Sequence, residues 1–152
     1  MNKHLKSLLP LLLAAPLAFS ACQTQSQTAR EAAPMDFTSV SAQIDHGAMV
    51  YKIECAQCHG DAGQGTRKAP PLVGKGALPL FRENAKARTG PFHNAMDIAA
   101  FATQNMPPDE DDRADMQAAD YWAVLAFALT ANGVALSETV GPDNAASIVL
   151  HP

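Results

Sequence analysis

The segment Glu54–Gly60, Glu-Cys-Ala-Gln-Cys-His-Gly, places two thiols three positions apart with an imidazole directly behind the second. Three chemistries use such a pair: a redox disulfide, a structural zinc site and covalent attachment of haem. A structural zinc site needs four ligands, commonly as two separated pairs. Here the second pair is missing, and His46, His93 and His151 are scattered. A thioredoxin-like disulfide belongs at a strand-to-helix turn, whereas this pair falls at the C-terminal end of an expected helix. Covalent haem accounts for every neighbour. Cys55 and Cys58 can add across the two porphyrin vinyl groups, whose spacing matches a three-residue helical step. His59 then projects over the iron and binds it through a ring nitrogen.

Haem ligation of this kind takes place outside the cytoplasm, and the start of the chain agrees. Residues 1–21 carry Lys3 and Lys6, then an uncharged apolar stretch, then small residues. That is the order of a secretory signal. A membrane-spanning helix needs about 20 apolar residues, and this stretch is shorter and broken by Pro10 and Pro16. The Phe-Ser-Ala-Cys ending resembles the lipobox of bacterial lipoproteins, which makes Cys22 the expected lipidation site. Phe19 stands where leucine is usual, and ordinary cleavage beside Cys22 is the alternative. Residues 22–38 read as a polar tether. The expected location is the bacterial periplasm, on a membrane anchor or free.

The composition bounds the rest. A chain of 152 residues holds one domain plus end segments, and 47% hydrophobic content is globular. A net charge of −4 without a Lys/Arg cluster argues against nucleic acid, which demands concentrated positive charge. Aromatic residues make up only 6%, so a buried cofactor would supply missing bulk.

These residues need elements to position them. Ile44, Ala48, Tyr51 and Cys55 form one helical stripe, with Ser39 or Ser41 as N-cap and a stop at Gly60. Glycines and prolines make the next stretch loop. Residues 80–88 are expected to form a short helix. A further helix is expected from Pro91, its better half running from Met96 or Asp97 to Gln104. Pro107 and Pro108 break it. The last helix is expected to start at Asp112 or Asp115 and to end at Asn132-Gly133. Residues 39–133 would be the domain, and 134–152 a mostly irregular tail. No stretch alternates with period two, so the expected class is all-α.

Over roughly residues 42–133 the sequence resembles the class I c-type cytochromes, small haem electron carriers. The likeness goes beyond Cys-x-x-Cys-His. The family has a glycine and an aromatic residue upstream of the first cysteine, here Gly47 and Tyr51. Ala-Pro-Pro-Leu-Val-Gly, residues 69–74, resembles its Pro-x-Leu-x-Gly. The resemblance implies about four helices wrapped around one covalent haem c, with the first and last helices crossing at Gly47 against Val124 and Phe127, near Trp122 and Leu125. It implies that the Pro70 carbonyl accepts the second N–H of His59, and that Tyr51 and Leu72 line the pocket. The family places its second axial ligand in a proline-flanked loop before the last helix, which implies Met106. Met96, inside a helix, reads as core filler, and His93 lacks the proline signature. Arg82, Lys86 and Arg88 are candidates for the haem propionates, with no spacing to choose among them. Asp109–Asp112 reads as a solvated run capping the last helix, or as a docking patch for a basic partner.

The expected function is to carry single electrons between redox proteins: a dehydrogenase, a respiratory complex or a terminal oxidase. The alternatives are a fixed haem subunit of a periplasmic dehydrogenase, or a haem enzyme or gas-binding protein whose sixth ligand is displaceable.

Overall fold

The computed structural model describes residues 36–151, except Asn84, Lys86 and Thr89. The expected signal, the Cys22 site and most of the tether lie outside the described residues, as does Lys86. Within them the structure is helical, with one isolated antiparallel bridge between Asn94 and Val149 and no strand. No described helix is long and apolar enough to cross a membrane.

The chain enters its first helix, α1 (Val40–Val50), at Ser39, whose hydroxyl accepts the Ala42 N–H. The helix continues through a π-helical turn, Tyr51–Cys55, into α2 (Ala56–His59). The wider turn is set by the Ala56 N–H reaching back to the Tyr51 carbonyl. Gly60 then ends the run at φ +86°, a conformation glycine adopts without steric cost.

Among the described residues of 80–88 none is helical. Phe92 donates to the Leu80 carbonyl at 2.9 Å, which closes the chain between them into a loop. The next helix, α3 (Ala95–Asn105), begins later than Pro91 predicts. Asn94 caps it, and the Asp97 carboxylate returns bonds to the Asn94 and His93 N–H groups at 3.1 and 2.8 Å.

The predicted last helix is two. Asp109 caps a short α4 (Glu110–Asp115), Met116 is extended, and α5 (Ala118–Ala131) starts afresh. The restart is fixed by Asp120, which accepts the Gln117 N–H at 2.9 Å. The acidic run therefore caps and builds α4 rather than the last helix. Asn132 and Gly133 end α5 as expected.

Helices α1 and α5 cross where Gly47 meets the Ala123 carbonyl. The closest approach falls on the Ala123 carbonyl, with the nitrogen of the expected Val124 next to it, and Phe127 packs its ring 5.2 Å from that of Tyr51. Asp120 ties the same pair of helices again through His46, 2.7 Å away. The core is built from Leu78, Phe92, Ile98, Leu125 and Leu129 with several alanines.

The tail is more ordered than its composition implies. Val140 and Ala145 are buried in the core, and Ala145–Ser147 forms a 3-10 turn. Gln43 of α1, itself 1% exposed, donates to the Val140 carbonyl and accepts its N–H, both at 2.8 Å. The end of the tail runs past α3, where Ala95 donates to Ile148 and Leu150 donates to His93.

Candidate functional site

Cys55 and Cys58 lie at the π-to-α junction of the first helical run, both half-buried and free of any disulfide. A helical spacing of three keeps them on neighbouring faces. Among the described residues no three His, Cys, Asp or Glu side chains gather as a metal cluster, so the thiols have no companions of the kind zinc requires. Burial, with Glu54 and Cys58 adding to it, pushes the Cys55 thiol up to about 11. The group therefore rests as a neutral thiol at neutral pH.

His59 closes α2 and is buried. Its Nδ1 donates to the Pro70 carbonyl at 2.7 Å, the bond that the resemblance implied. With Nδ1 carrying the proton, Nε2 keeps its lone pair. Burial pushes the ring's pKa below the ordinary histidine value; the Pro70 bond opposes that, and the nearby Arg82 guanidinium adds to it. The imidazole is thus neutral and oriented, the form in which histidine binds a metal.

The loop that carries Pro70 is folded back on the end of α2. Gly65 donates to the His59 carbonyl and Thr66 Oγ1 to that of Cys58. Leu72 donates to Gly63 at 2.8 Å, while its carbonyl accepts from Asn132 at the end of α5. Its side chain is half-buried against the core. Tyr51 is 2% exposed and donates its hydroxyl to the Gly60 carbonyl, which makes it a strut across the π turn.

Met106 ends α3 in an extended conformation before the buried Pro107, across a cis peptide bond. Its carbonyl accepts the Tyr121 hydroxyl at 2.7 Å. Burial raises the pKa of the Tyr121 phenol, and the nearby Arg113 guanidinium opposes that. The rival candidates go elsewhere: Met96 packs against the core, the His93 side chain is exposed, and His46 is bound to Asp120.

The fit to a porphyrin has a further test in the cations. Arg88 stacks 4.0 Å over the Phe92 ring and donates Nη1 to the Pro79 carbonyl, yet its Nη2 is buried without a partner. Arg82 lies close enough to act on both Arg88 and His59. Among the described residues neither guanidinium pairs with a carboxylate. An orphaned buried donor on Arg88 with a second guanidinium near it calls for an anion, and a porphyrin brings two carboxylates. The sequence alone leaves this choice open. Only the fold separates Arg88 from its neighbours.

The family model described as cytochrome c oxidase, cbb3-type, subunit III matches residues 42–127. No curated protein matches the chain. Among solved structures, the fold is similar to a chain of the sulfane dehydrogenase SoxCD from Paracoccus pantotrophus, with a TM-score of 0.52 and 22% identity. The likeness covers 70% of this chain and 52% of that one, so this chain spans about half the length of its structural neighbour. The helical architecture is a cytochrome c fold, and the domain is that of a haem c-binding electron-transfer protein. The chain belongs to the family of cytochrome c oxidase, cbb3-type, subunit III.

Proposed function

We propose that this chain is a monohaem c-type cytochrome that passes single electrons between redox proteins of the bacterial cell envelope. Haem, when bound, supplies a one-electron Fe(III)/Fe(II) couple. Cys55 and Cys58 would hold the haem through two thioethers, each formed by addition of S–H across a vinyl C=C with no oxidant consumed. His59 and Met106 would ligate its iron. Pro70 fixes the His59 tautomer through its carbonyl. Tyr51 and Leu72 belong to the pocket wall. Arg88, with Arg82 beside it, is assigned to the carboxylates.

One observation carries the reading above the others. The His59 imidazole is buried, its Nδ1 is committed to the Pro70 carbonyl at 2.7 Å, and it closes the same helical run that carries the two free thiols one and four residues before it. A core histidine satisfied for packing alone would not need both thiols at that spacing. A thioether as sixth ligand leaves no vacancy for a substrate, which favours electron transfer over the peroxidase or gas-binding alternative.

A second reading has its own support. The family description is of an oxidase subunit, and the structural neighbour is a dehydrogenase. A fixed haem subunit of an oxidoreductase complex would use the same residues. Co-purification with a catalytic chain separates this from a free shuttle.

The location is assigned from the leader: export to the periplasm, with lipidation of Cys22 as anchor. The test is mass spectrometry of the mature protein from a host with working haem-ligation machinery. The expected result is the mass of one covalent haem, with acyl chains on Cys22. A colourless product of polypeptide mass alone overturns the cytochrome reading. An unmodified, cleaved N-terminus overturns the anchor and nothing else.

A further inference from the structure

The turn that carries Met106 cannot hold itself. Pro107 and Pro108 have no N–H to donate, so ordinary backbone bonds cannot form across the turn. Its three successive carbonyls are instead held by side chains from farther along the chain. The Met106 carbonyl accepts the Tyr121 hydroxyl at 2.7 Å, and Arg113 Nη1 donates to the carbonyls of Pro107 and Pro108, the latter at 3.1 Å.

The hydrogen bonds of Arg113 do not go to its acidic neighbours. It sits among Glu110, Asp111, Asp112 and Asp115, all exposed. Glu110 makes only a long, solvent-screened ion pair with Nη2, at 3.9 Å, beyond hydrogen-bond reach. The guanidinium turns inward to the prolines and is half-buried. The short helix α4 places it there: Asp109 accepts the N–H groups of Asp111 and Arg113, which starts the helix two residues after Pro108. This gives the acidic run a local task, to build the arm that carries Arg113.

We propose that Arg113 and Tyr121 form a latch on the Met106–Pro108 turn that sets how slowly the Met106 thioether gives way to an external ligand. Both are positioning residues, acting through the backbone of the turn. The proposal rests on the assignment of Met106 as axial ligand. A charge-assisted hydrogen bond to a half-buried carbonyl is stronger than a neutral one, so Arg113 is the larger of the two contributions.

The experiment is imidazole binding to the ferric holoprotein by rapid mixing, read at saturating imidazole, where release of the native ligand limits the rate. Arg113→Met keeps the length and apolar stem and is expected to raise the limiting rate by about tenfold. Arg113→Lys should recover part of that, and Tyr121→Phe should raise the rate severalfold. Gln43→Ala, which loosens the tail far from the turn, is expected to lower the unfolding midpoint without changing the limiting rate. Wild-type rates in both Arg113→Met and Tyr121→Phe would overturn the latch. So would an equal acceleration in Gln43→Ala, because the effect would then be general loosening. If Arg113→Met yields no holoprotein, Tyr121→Phe alone decides by the same comparison. The two readings fail differently. Without the ferric iron–thioether charge-transfer band in the wild type, the axial assignment falls and the latch with it. With the band present and the variants unchanged, only the latch falls.

Discussion

A Cβ placed on Gly47 would stand 1.9 Å from the Ala123 carbonyl oxygen and 2.4 Å from its carbon. Both atoms are backbone, so no side chain can swing aside, and α1 and α5 would have to move apart. Overpacking of a well-filled core costs about 1–3 kcal/mol when side chains can adjust, so Gly47→Ala should lie at or above the top of that range. The expected outcome is a fall of about 3 kcal/mol in unfolding free energy, measured by denaturant titration of the holoprotein.

The haem ligands separate by what survives their loss. Cys55→Ala or Cys58→Ala should leave part of the haem extractable by acidified organic solvent, from a wild type that releases none. His59→Ala should yield no stable holoprotein. Met106→Ala should retain covalent haem while losing the iron–thioether charge-transfer band, lowering the reduction potential and letting the reduced protein bind carbon monoxide. Met96→Leu, conservative in the core, should change none of these. Transfer of the band loss from Met106 to Met96 would reassign the ligand.

Much of this site was legible because its signals are local. Cys55, Cys58 and His59 are consecutive enough for spacing to speak, and Ser39, Gly60 and Asn132-Gly133 punctuate their helices as their side chains dictate. The Gly47 crossing was legible only through the resemblance to the c-type cytochromes. The misses have physical causes. Pro91 is a good first helical residue, but Asn94 and Asp97 form a reciprocal cap that wins the start of α3. Asp112 and Asp115 are good early-helix residues too, yet Asp120 restarts the helix at Gln117. The π turn at Tyr51–Cys55 leaves no mark in the apolar pattern. The Gln43–Val140 pair joins residues at opposite ends of the domain, and a lone glutamine on a helix gives no hint of such a partner. Arg88 was indistinguishable from Arg82 and Lys86 until the fold buried one of its nitrogens.

The Gln43 clamp makes the tail a part of the domain's stability. Gln43→Leu removes the partner of both the N–H and the C=O of Val140, which is 3% exposed. Each buried unsatisfied group costs about 1–3 kcal/mol, so a loss of about 2–6 kcal/mol is expected in denaturant unfolding. Limited proteolysis should find new cleavage between residues 134 and 139. Gln43→Glu is the sharper variant. It retains an acceptor for the Val140 N–H but sets a second carboxylate oxygen against the Val140 carbonyl, so it should be at least as damaging at neutral pH. A glutamate variant as stable as wild type would show the clamp to be ornamental.

The two tyrosines of the chain give a pH test with a definite sign. Burial raises the pKa of both Tyr51 and Tyr121 above the ordinary value of 10.0. Each phenol also donates a hydrogen bond to a carbonyl, to Gly60 from Tyr51 and to Met106 from Tyr121, and an ionised phenol can no longer donate. The folded state therefore binds these protons more tightly than the unfolded chain. The resulting stability is complete below about pH 10 and is lost as pH rises through the higher folded-state values. Tyrosine resonances of ring-labelled holoprotein should accordingly remain neutral at about pH 10, where a denatured sample is half ionised. Above that pH the loss of the Tyr121 bond should release the Met106 turn, so the iron–thioether band should fade together with Tyr121 ionisation. In Tyr121→Phe that alkaline step should vanish, leaving a band that is weaker at neutral pH and insensitive to phenol ionisation. A wild-type band that fades well below the tyrosine titration would assign the alkaline change to another group.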